Sequence, residues 1–133
     1  MSHMFMPVYN VDAPVGPGQT NAADDVKLVQ SLLALWAEIA PGATQGLPRM
    51  VVDGNYSENV GNWIRTFQGT APRTVARDGK IDPIRSSRGH FQTQIGSHTS
   101  TLLVLNYNCM LRNASGHYRL AERLHLLIRP HLT

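Results

Sequence analysis

One cysteine in 133 residues excludes an internal disulfide, so nothing in the chain ties it to an oxidising compartment. That cysteine, Cys109, lies in the apolar run LLVLNYNCML, where a buried, inert thiol is the expected state. No stretch of about 18 apolar residues occurs, which excludes a membrane-spanning helix. The opening MSHMFMPVYN lacks the charged region, apolar core and small-residue cleavage site of a signal peptide, and MSHM resembles a vector remnant. The chain also lacks G-x-S-x-G, a P-loop, G-x-G-x-x-G, H-E-x-x-H and any cysteine pair. Those absences argue against a nucleophile elbow, a nucleotide cradle and a zinc site.

What is present is an uneven charge. Residues 1–50 hold two cations against four acids, whereas residues 51–133 hold ten against five, and the net +3 conceals this. Arg65, Arg73, Arg77, Lys80, Arg85 and Arg88 supply most of the excess, a surface suited to an anionic partner. Aromatic residues are not interleaved with those cations, so a nucleic-acid stacking platform is not expected. A 42% hydrophobic fraction supports one modest core and not two.

Residues 5–20 carry Pro7, Pro14, Gly16 and Pro17 and read as an extended lead-in. The spacing then predicts a helix over 21–40, with Asn21 or Asp24 as cap. Val26, Val29, Leu33 and Trp36 form one stripe and Leu28, Leu32, Leu35 and Ile39 its neighbour, and Pro41-Gly42 stops the run. Asp53-Gly54 is a turn signal, and Ser57 is placed to cap a helix carrying Val60, Trp63, Ile64 and Phe67 on one face. Gly61 within that helix predicts close approach of a neighbouring backbone. The core is expected to contain Val29, Leu33, Trp36, Trp63, Ile64 and Phe67.

Asp78-Gly79-Lys80-Ile81 repeats Asp53-Gly54-Asn55-Tyr56, with an apolar or aromatic residue three positions after each Asp, which points to a duplicated structural unit. Neither copy carries the alternating acids of a calcium loop, so structural turns are the better reading. Asp82-Pro83 reads as the start of a further helix. Residues 85–98 read as loop or a short helix, and TSTLLVLNYNCMLRN as a helix capped by Ser97, Thr99 or Ser100, with a strand as alternative. HYRLAERLHLLIRPHL restores helical spacing through Leu120, Ala121, Leu124, Leu127 and Ile128 up to Pro130. His117 and His125, two turns apart, are expected at exposed or core-edge positions and not on a metal.

VVDGNYSENVGNWIRTFQ, preceded by Asp25-Val26 and by Val29-Gln30-Ser31-Leu32-Leu33, is similar to the signature of the bacterial peptidoglycan-binding-like domain family. VGPGQTN at 15–21 resembles the lead-in of some members, and the second Asp-Gly turn resembles the one that introduces the family's third helix; the likeness covers residues 15–84. It implies an all-α, compact three-helix bundle; with the length of the chain and the helical spacing near its end, we expect a single domain over 1–133, with 1–20 as lead-in, 21–112 as core and 113–133 as an added C-terminal helix outside the family's pattern. It further implies a non-catalytic, cofactor-free module that binds peptidoglycan or its peptide stem, which places it in the periplasm or cell envelope, with a cytoplasmic location or delivery by a secretion apparatus as the alternatives. Asn55, Tyr56, Asn62, Arg65 and Gln68, on or beside the best-matching turn and helix, are the candidate ligand residues. A protein-interaction adaptor in a phage-like or type VI secretion assembly is the alternative, and a cell-wall hydrolase with two convergent titratable groups the second alternative.

Overall fold

The structure, a computed structural model, describes residues 7–87, 90–95, 97–123 and 130–132. It is an all-α fold whose core is built from α1 (Ala23–Ile39), α3 (Glu58–Thr70) and α4 (Thr101–Arg112), with short α2 (Pro41–Thr44) and outer α5 (Ala114–Arg123). The two apolar stripes of α1 explain its place: Val26, Val29, Leu32 and Leu33 are sealed off, and Ile39 packs at the edge. Against it α3 sets Val60, Trp63, Ile64 and Phe67, all buried as their spacing predicts. Trp36 meets Phe67 edge-on with centroids 5.1 Å apart and Trp63 at 6.5 Å, geometries that favour the ring quadrupoles. The Trp63 indole, buried but polar at one end, donates to the Pro48 carbonyl at 2.8 Å.

Several local expectations change. Asn21 does not cap α1: it holds a positive φ of 50°, and its amide folds back on both backbone groups of Gly16, so Ala22 occupies the cap position. Asp25, one turn in, instead accepts from the backbone N–H groups of Asp12 and Ala13 and anchors the lead-in. That lead-in is part of the core, since Val8, Tyr9, Val11 and Val15 are buried. Val15 and Ile81 exchange backbone hydrogen bonds of 2.9 and 2.8 Å, tying the first loop to the second Asp-Gly turn.

No helix follows Asp82-Pro83. The chain forms two small antiparallel pairs, β2 (Arg85–Ser87) with β3 (His90–Gln92) and β4 (Gln94–Ile95) with β5 (His98–Thr99), where a loop or short helix is expected. The segment has no 3.6-residue apolar repeat to bury, so local pairing satisfies its backbone instead. Links from Thr99 N–H to the Thr74 carbonyl and from Ser100 N–H to the Thr93 carbonyl fasten it to the body. The third core helix thus starts at Thr101, capped by Ser100, whose hydroxyl accepts from Leu103 N–H. α5 supplies the added C-terminal helix as far as Arg123; the helical spacing at 124–128 lies outside the described residues. Pro130 belongs to β6 (Pro130–Leu132), which pairs antiparallel with β1 (Pro7–Tyr9).

Candidate functional site

The two Asp-Gly turns share one construction. Gln30 of α1 accepts with Oε1 from the backbone N–H groups of Asp53 and Gly54, and its Nε2 donates to Asp53 Oδ1 and the Asn55 carbonyl. Gln68 of α3 repeats this: Oε1 accepts from Gly79 N–H at 2.8 Å while Nε2 donates to Asp78 Oδ1, the Lys80 carbonyl and Thr101 Oγ1. In each turn the aspartate also accepts from the N–H two residues on, Asn55 in one and Lys80 in the other. The glycines take φ of 78° and 72°, left-handed values that an amino acid with a Cβ adopts at a cost. The sequence echo is therefore a repeated lock, with a core-facing helical glutamine clamping an Asp-Gly turn. Accepting those hydrogen bonds, from Asn55 N–H first and Gln30 next, holds the Asp53 carboxyl below its ordinary range.

This settles where the candidate ligand residues lie. Gln68 is buried and bonded through both ends of its amide, so it organises the turn and presents nothing to a ligand. Four others lie nearer the surface: Asn55 and Arg65 are exposed, and Asn62 and Tyr56 are half-buried. Arg65 crosses above the second turn, its Nη1 lying 2.8 Å from where a Cβ on Gly79 would stand, and its guanidinium donates to Asn62 Oδ1. The Tyr56 hydroxyl lies 2.7 Å from the place of a Gly61 Cβ, so Gly61 makes room for a tyrosine side chain and not for a neighbouring backbone. Burial raises the Tyr56 pKa, with Arg65 opposing, so the phenol stays a neutral donor at physiological pH. Tyr56, Asn62 and Arg65 thus form a polar patch over α3, with Asn55 on the first turn. Among the described residues the one ion pair is Lys80 with Asp82 at 3.7 Å, so the Arg65 charge has no carboxylate partner there.

A second surface feature was not anticipated. A trough of about 920 Å³ runs along α1 past Lys27, Ser31 and Glu38, walled by Leu47 and Arg49–Val52 and floored by Trp63 and Leu120. The spacing of Lys27, Ser31 and Glu38 along α1 was the available signal, since it marks a polar edge beside the apolar stripes.

Two groups with nucleophile or base chemistry, the Cys109 thiol and the His117 imidazole, are sealed in. Cys109 is buried with Sγ 3.6 Å from the Leu32 carbonyl, and burial, with the Glu38 charge adding, pushes its thiol pKa up to about 12. A thiol reagent is accordingly expected to leave native protein unmodified and to react only as fast as the chain unfolds; rapid native-state labelling would refute that burial. His117, expected at the surface or core edge, is fully buried at 0% exposure, and its Nε2 lies 3.0 Å from Asn106 Oδ1. Asn106 in turn bonds both backbone groups of Tyr9, so one amide joins α4, α5 and β1. Burial brings the His117 pKa down to about 4. No group of three or more His, Cys, Asp or Glu placed to hold a metal occurs among the described residues.

Comparison with protein-family models, with curated proteins and with solved structures finds no match for this chain.

Proposed function

We propose that this chain is a non-catalytic module that attaches to bacterial peptidoglycan, acting at the cell envelope. The observation that carries the reading is the Arg65 guanidinium, held over the second Asp-Gly turn beside Asn62 and Tyr56 with no carboxylate partner among the described residues. A planar fork of donors flanked by an amide and a neutral phenol is suited to a carboxylate of a peptide stem and the hydroxyls of a glycan. The buried glutamine beneath fixes the turn, so the patch is preorganised and loses little entropy on binding.

The test is retention on insoluble peptidoglycan sacculi across a salt series, with release of soluble fragments monitored. Arg65→Glu is expected to lower retention about tenfold at low salt, with the difference shrinking as salt rises, and wild type to free no fragments. Wild-type protein that stays in solution at every salt concentration would sink the reading.

A second reading, an adaptor within a phage-like or type VI secretion assembly, is favoured by one observation. Tyr107 at 42% and Leu111 at 83% exposure align one turn apart on α4, and Tyr118 of α5 is also exposed. Large apolar side chains spaced in this way are common in protein interfaces. Loss of assembly on Leu111→Asp with sacculus retention intact would favour the adaptor.

A further inference from the structure

The trough along α1 has features that the wall-binding patch does not use. Lys27 stands at one end and Glu38 at the other, about 16 Å apart at 1.5 Å per residue, with Arg49 on the wall between. The far wall runs back against α1, since Asp53 is clamped to Gln30 while Thr44 follows directly from the end of the helix. In that wall, no backbone N–H or C=O of Arg49, Met50, Val51 or Val52 makes a hydrogen bond among the described residues. Met50 turns inward while Val51 and Val52 are exposed, so the segment sets apolar side chains beside an unpaired main chain. Such an edge gains most from a partner that supplies N–H and C=O groups at strand spacing.

We propose that this trough binds an extended segment of a partner polypeptide, about five residues long, with its acidic end at Lys27 and its basic end at Glu38. Main-chain pairing along Arg49–Val52 supplies the attachment, and the opposite charges at the two ends set direction. A peptidoglycan stem is the poorer occupant, because its γ-linkage and D-residues interrupt the regular alternation of donors and acceptors that strand pairing requires. The inference stands apart from the wall-binding reading, which uses the Arg65 patch.

The probe is a synthetic peptide of about five residues with lysine first, valine and threonine between and glutamate last, long enough to span the trough. It is titrated into the full chain by calorimetry, beside a counterpart with lysine at both ends, an N-methylated version and a synthetic stem tetrapeptide. Wild type is expected to prefer the first peptide over the two-lysine counterpart about tenfold and to lose the N-methylated one. A Lys27→Glu variant, whose trough is acidic at both ends, should reverse that preference, and its folding is safeguarded because the change agrees with the α1 dipole. Binding to no peptide, equal binding of the N-methylated peptide, an unchanged preference in Lys27→Glu, or binding of the stem tetrapeptide alone would each overturn the proposal. Sacculus retention is measured on the same variant, so failure here leaves the Arg65 reading to its own test.

Discussion

Gln68→Ala is expected to lower unfolding free energy by about 3 kcal/mol, and Gln30→Ala by a similar amount, read as a shift in urea midpoint at unchanged slope. The size follows from what each truncation strands. Without the Gln68 amide, the buried Gly79 N–H loses its acceptor, and Asp78 Oδ1, the Lys80 carbonyl and Thr101 Oγ1 lose a donor. A neutral hydrogen bond contributes about 1 kcal/mol net, but a buried donor left unpaired costs about 1–3 kcal/mol, and water reaches this turn poorly because Gln68 is 1% exposed. For a chain of this length the loss corresponds to a fall of roughly 10 °C in Tm. Gln68→Glu separates shape from charge. It keeps an acceptor for Gly79 N–H but sets a carboxylate against Asp78, so it should destabilise at neutral pH and recover as the pH falls toward the carboxylate range. Losses below about 0.5 kcal/mol for both alanine variants would show that the locks are incidental contacts.

The same glutamines show what was legible in the sequence and what was not. The helices α1 and α3 could be read because each puts large apolar residues at 3.6-residue spacing between strong stops, and packing then rewards the local preference. The echo of the Asp-Gly turns was also legible, but its mechanism was hidden because a helical glutamine looks like an ordinary surface residue. The usable signal was position: Gln30 lies between Val26 and Leu33 on the core stripe, and Gln68 follows Ile64 by one turn. His117, three residues before the buried Leu120, gave the same hint, and reading it as peripheral overlooked that stripe. The hairpins at 85–99 and the β1–β6 pair were not legible for a different reason. Strand pairs of two or three residues carry no period, and pairing Pro7 with Leu132 depends on chain closure that no local pattern encodes. Of the candidate ligand residues, Tyr56, Asn62 and Arg65 lie near one another over α3, whereas Gln68, on the same helix, faces inward.

Acidification is expected to weaken the fold well before the carboxylates titrate, through His117. Asn106 Oδ1 already accepts from Tyr9 N–H, and its Nδ2 donates to the Tyr9 and Leu102 carbonyls, so the 3.0 Å contact requires His117 Nε2 to be the donor. That tautomer leaves Nδ1 as a buried acceptor with no partner among the described residues. A second proton must enter at Nδ1, where no acceptor or countercharge receives it, and this is why burial depresses the pKa to about 4 from the ordinary 6.5. Between those values the unfolded chain binds the proton and the native chain does not, so stability is full above pH 6.5 and falls progressively as pH drops toward 4. The cumulative loss is about 3 kcal/mol, and below the folded pKa it levels off. Because Asn106 also holds both backbone groups of Tyr9, and the Tyr9 hydroxyl donates to the His117 carbonyl at 2.6 Å, the acid-sensitive contact sits where β1, α4 and α5 meet. Urea midpoints measured from pH 7.5 to 4 should show this slope in wild type and lose it in His117→Phe, which keeps a ring beside Tyr9 but cannot take a proton. A slope of equal size in His117→Phe would assign the acid response to the carboxylates and remove His117 from the account.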